Sequence, residues 1–91
     1  MYPDALIKFL GEKLAKKINK AVMPSTGFIR LALKDDHGTN KDLSIKDIKH
    51  TLDNGLRKRL NAINIQEIDE VISYLTNKLL ANQALLTMTK F

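Results

Sequence analysis

Apolar residues return every three or four positions through most of the chain, the spacing that gathers them on one face of an α-helix. Ile7, Leu10, Leu14, Ile18 and Ala21 follow it first, with Leu6, Phe9 and Val22 widening the stripe, and predict a helix over residues 4–22. Pro3 suits a first helical turn, Asp4 complements the positive end of the helix dipole, and Pro24 disfavours helical geometry at Met23 and predicts the stop. Residues 27–34 carry two patterns at once. Ile29, Leu31 and Leu33 alternate as in a strand, whereas Ser25 is placed to cap a short helix. The helix is preferred, because a lone strand would leave its backbone groups without a partner in this chain.

Beyond the polar connector Asp35–Asp42, the start signals are stronger. Ser44 and Asp47 have the spacing of a capping box, with Leu43 and Ile48 as the hydrophobic pair that brackets it. Ile45, Ile48, Leu52, Leu56 and Leu60 continue the face and predict a helix over 45–61, kinked or divided at Asp53-Asn54-Gly55. Asn64 and Glu67, bracketed by Ile63 and Ile68, repeat the box and predict a last helix over 65–87. Ile65, Ile72, Leu79 and Leu86 recur every seven residues along it, with Ile68 and Leu75 between them. The expectation is an all-α single domain over residues 1–91, a small bundle of about four helices.

Length sharpens this. Ninety-one residues leave room for one core, and a domain of that size buries a modest share of its surface, so association is a common supplement. The last helix is apolar nearly all round: Val71, Leu80, Leu85, Met88 and Phe91 lie off its main stripe. The strip Ile72, Leu75, Leu79, Leu86, Met88 and Phe91 is therefore expected to meet a second copy or a helical protein partner. Asn82 would fix register if it lay in such a seam.

Charge adds a second expectation. The formal net charge is +5, and twelve of the fifteen basic residues are lysine, which favours a general anionic partner over bidentate recognition. Lys13, Lys16, Lys17 and Lys20 lie away from the apolar stripe of the first helix, and Arg57-Lys58-Arg59 is the densest cationic run. Both are candidates for phosphate or for an acidic partner. No aromatic residue is interleaved with them in sequence, so stacking on single strands is not expected. The turn before the last helix carries Glu67, Asp69 and Glu70, which argues against a DNA-reading helix there.

Other chemistry is sparse. The chain has no cysteine, which excludes disulfides and thiolate chemistry. Asp36, Asn40, Asp42 and Asp47 fall short of a calcium loop, with Lys41 where glycine is needed. His37 and His50 form no recognisable relay, and no serine or glycine lies in a nucleophile or phosphate-loop motif. No cofactor is expected. No basic-then-apolar leader and no membrane-length apolar run is present, so the expected location is the cytoplasm. Together these features describe a non-enzymatic helical adaptor or regulatory module acting through its C-terminal helix. The alternative is a small basic protein contacting nucleic-acid phosphates through the first helix and Arg57–Arg59.

Overall fold

The computed structural model describes residues 3–38 and 42–86. Among them are four helices and no strand. Helix α1 is Asp4–Ile18, α2 is Val22–His37, and α4 is Ile68–Ala81 with a short 3-10 turn Gln83–Leu86 after it. Helix α3, residues 45–62, is continuous but changes pitch: α-helical over Ile45–Thr51, a π turn over Leu52–Leu56, and α-helical again over Arg57–Ala62. Residues 27–34 are thus the body of a longer helix, and the strand alternative falls away.

The first helix stops earlier than Pro24 would have it. Asn19 adopts the left-handed conformation (φ 56°) and the Lys20 amide donates back to the Ala15 carbonyl at 2.9 Å. Asparagine tolerates that conformation better than most residues, and it closes the helix. Pro24 then falls in the first turn of α2, where a missing N–H forfeits no intrahelical bond. Ser25 does not cap α2; its buried hydroxyl donates to the Ala21 carbonyl at 2.8 Å, one turn back.

The start of α3 is as the sequence predicts. The Asp47 amide donates to Ser44 Oγ at 3.1 Å and the Ser44 amide donates to the Asp47 carboxylate at 2.9 Å. Leu43 and Ile48 beside them are both buried. The Asp53-Asn54-Gly55 signal becomes the π turn, which inserts a residue without breaking the helix. The looser turn is held by side chains: Asn54 Nδ2 donates to the His50 carbonyl (2.8 Å) and Arg57 Nε to the Asp53 carbonyl (3.0 Å).

The second capping box does not form. Asn64 is left-handed (φ 59°), and the Ile65 amide donates to the Leu60 carbonyl at 3.1 Å, so this asparagine ends α3 instead of starting α4. Glu67, itself left-handed, precedes the last helix without a side-chain cap. Helix α4 therefore begins at Ile68, three residues later than predicted.

All four helices feed one core. Leu6, Ile7, Leu10 and Leu14 of α1 meet Ile29 and Leu33 of α2, Ile48, Leu52, Leu56 and Leu60 of α3, and Leu75 and Leu79 of α4, all essentially without solvent contact. Helix α1 packs most extensively on α2 and next on α4. The Asp4–Arg30 ion pair at one end and the Gly11–Thr26 contact farther along make α1 and α2 antiparallel. Gly11 permits that crossing, since a Cβ there would lie 2.0 Å from Thr26 Oγ1 and 2.9 Å from Thr26 Cα. No helix among the described residues is long and apolar enough to cross a membrane.

Candidate functional site

The apolar strip of the last helix faces inward for most of its length. Ile72, Leu75 and Leu79 are buried within the chain's own core, against α1 and α3. Helices α1 and α3 supply the cover that this apolar segment needs. Leu86 ends the 3-10 turn, and Met88 and Phe91 lie outside the described residues. Asn82 follows α4, its amide nitrogen donating to the Lys78 carbonyl at 2.8 Å. On the outside of this helix only Leu80 is a largely exposed aliphatic.

The apolar surface lies instead on α2. Met23 is 86% exposed and Leu31 48%, and they stand at i and i+8 on one helical row with Gly27 between them. Nothing lies within 4 Å of where a Gly27 Cβ would be, so this glycine is the flat middle of a ridge. Val22, 46% exposed, and the stem of Lys8 widen the ridge into a shallow groove with Thr26 and Arg30. The Thr26 hydroxyl is buried against Gly11 with no hydrogen-bond partner.

The two cationic clusters have different fates. Arg57 pairs with Asp53 (3.0 Å) and with Asp69, both of which hold its guanidinium more firmly charged. Arg59 pairs with Asp35 of α2. The densest basic run in the sequence is thus largely neutralised, and Lys58 alone of the three is exposed without an acidic partner. Lys58 and Arg57 do border an open cleft of about 460 Å³ with Asn61 and residues 65–69, but Glu67 and Asp69 share its lining.

Lys13, Lys16, Lys17 and Lys20 have no acidic partner among the described residues. Two of them meet aromatic rings: Lys13 Nζ is 5.3 Å from the Phe9 ring centre and Lys17 Nζ 5.2 Å from that of Tyr74. Lys78, one turn along α4, brings a second ammonium to within 5.5 Å of the same Tyr74 ring. Aromatic rings are therefore interleaved with these charges after all. The Phe9–Lys13 pair is an i,i+4 spacing readable in the sequence; Tyr74 and Lys78 arrive from a helix some sixty residues away in the chain.

His37 joins two helices, and His50 bonds within its own. His37 Nε2 lies 3.0 Å from the Thr51 hydroxyl and 3.2 Å from the Asp47 carbonyl, joining the end of α2 to α3, and Thr51 is fully buried. His50 Nδ1 contacts the Asn54 amide at 3.3 Å. Among the described residues no three His, Asp or Glu side chains converge as a metal site. The chain matches no family model, no curated protein and no solved structure.

Proposed function

We propose that the chain is a non-enzymatic helical adaptor or regulatory module that works through protein–protein association. The observation that supports this is the ridge Met23–Gly27–Leu31. Large apolar side chains standing in water on either side of a flat glycine are the pattern of a surface that another helix covers. The ridge takes over the role expected of the last helix, whose apolar face is occupied by the core.

The partner that fits this ridge is a second copy of the chain. Asp4 stands beside Lys8 and Arg30 along it, so two copies related by a two-fold axis would meet with both signs of charge and with glycine facing glycine. A sizing and light-scattering measurement tests this. The wild type should run near twice its 10.3 kDa mass. Gly27→Glu should run as a monomer and, compared at a dilution where the wild type is also monomeric, unfold at a midpoint no lower than the wild type, since glutamate is the better helix former and has room there. A wild type that stays monomeric at high concentration overturns the reading.

A second reading, binding to nucleic acid, draws support from the unpaired lysines of α1. It lies on a different surface and excludes Arg57 and Arg59 as its principal contacts, because both are engaged by carboxylates.

A further inference from the structure

We infer that the face formed by α1 and α4, with Tyr74 at its centre and Lys13, Lys16, Lys17, Lys20 and Lys78 around it, binds single-stranded nucleic acid. This deepens the second reading and shares no residue with the α2 ridge, so either can fail alone.

Lys17 and Lys78 bring two like charges to one ring, at 5.2 and 5.5 Å from its centre. No carboxylate among the described residues neutralises either. Lys13 and Lys16 extend the same sign along α1, and Lys20 follows just past its left-handed end at Asn19. Glu67 and Glu70, at the start of α4, bound the face at one end. A predominantly basic surface of this kind, with Glu67 beside Lys17 and Lys20 at its edge, attracts a chain of phosphates and releases their counterions.

The ring selects the strand. Tyr74 is half-buried, packed against the core, with the Lys17 and Lys78 ammonium groups over its ring. An ammonium over an exposed ring is held weakly, while a base stacked on that ring is held more strongly and without regard to sequence. A base arriving on Tyr74 displaces the exposed Lys17 ammonium from the ring and leaves it free for the adjoining phosphate. A duplex keeps its bases stacked inside and offers the ring nothing comparable. An acidic peptide or an anionic membrane would use the lysines but not the stacking position.

Fluorescence anisotropy with a labelled oligothymidylate of about twenty nucleotides, compared with the same strand as a duplex, tests the inference. Single-strand binding should exceed duplex binding and weaken about tenfold or more between 50 and 200 mM salt. Lys17→Glu with Lys20→Glu, both on exposed side chains, should reduce it about tenfold or more. The same charge change at Lys46 and Lys49 of α3 should do much less. Tyr74→Phe should bind as the wild type, and Tyr74→Leu should lose about fivefold or more. Thermal unfolding of both variants separates a folding defect from a lost contact. No binding at 50 mM salt, equal affinity for duplex, or equal losses from the α1 and α3 lysine pairs overturns it.

Discussion

The two faces of α2 meet very different surroundings. On the inner side, Gly11 of α1 comes so close to Thr26 that a single methyl group would meet the opposing backbone at 2.9 Å; on the outer side, neighbouring Gly27 has open space. Ser25, Ile29, Ala32 and Leu33 are buried on the first face, whereas Met23 and Leu31 stand in water on the second. One helix thus carries a close-packed crossing and an unpartnered ridge a quarter-turn apart. Apolar character alone does not distinguish these faces; the neighbours do.

The largest effect should come from placing the same charge on the two kinds of surface. Leu79→Asp puts a carboxylate into the fully buried core, at a cost of about 4 kcal/mol or more, which removes most of the stability of a domain this small. Leu31→Asp, on the ridge, should stay within about 0.5 kcal/mol of wild type when both are measured dilute enough to be monomeric. Urea unfolding followed by circular dichroism reads both. A folded, cooperative Leu79→Asp chain would show that the last helix faces outward after all.

The glycine pair sharpens the contrast and has opposite signs. Gly11→Ala should destabilise by about 2 kcal/mol, because the overlap with Thr26 outweighs the better helix propensity. Gly27→Ala, measured at a dilution where the chain is monomeric, should stabilise by about 0.5 to 1 kcal/mol, since it gains that propensity and meets nothing within its own chain. Two losses, or two gains, would erase the distinction drawn between the faces.

Much of the architecture was legible in the residue pattern, and the misses have specific causes. The Ser44–Asp47 box and its Leu43–Ile48 bracket are legible in sequence because every partner lies within five residues. Asn64 carries an ambiguous signal, because an asparagine can start one helix or end another, and here the carbonyl of Leu60 takes the following amide. Pro24 reads as a stop in sequence because a first-turn proline and a terminating proline look alike; the left-handed Asn19 that closes α1 decides between them. The site was harder to read. Arg57 and Arg59 meet Asp69 and Asp35, twelve and twenty-four residues away, and Tyr74 reaches Lys17 across the bundle. Neutralisation and interleaving of this kind are properties of the packed helices, and no local spacing encodes them.

The smallest effect concerns the capping box, which is exposed where the core crossing is buried. The Ser44 amide and hydroxyl, with smaller pulls from His37 and His50, hold the Asp47 carboxyl below the ordinary aspartate value of 3.8. A carboxylate whose folded value is depressed contributes stability above its unfolded value and loses it as pH falls through the folded one. The difference in urea midpoint between wild type and Asp47→Asn should therefore be constant from neutral pH down to about 5 and shrink below about pH 4. Gly11→Ala, which alters packing and no titrating group, should keep its deficit across the same range. If the Asp47→Asn difference survives at about pH 2.5, or was absent at neutrality, the carboxylate is not what secures the start of α3, and the serine hydroxyl holds that end alone.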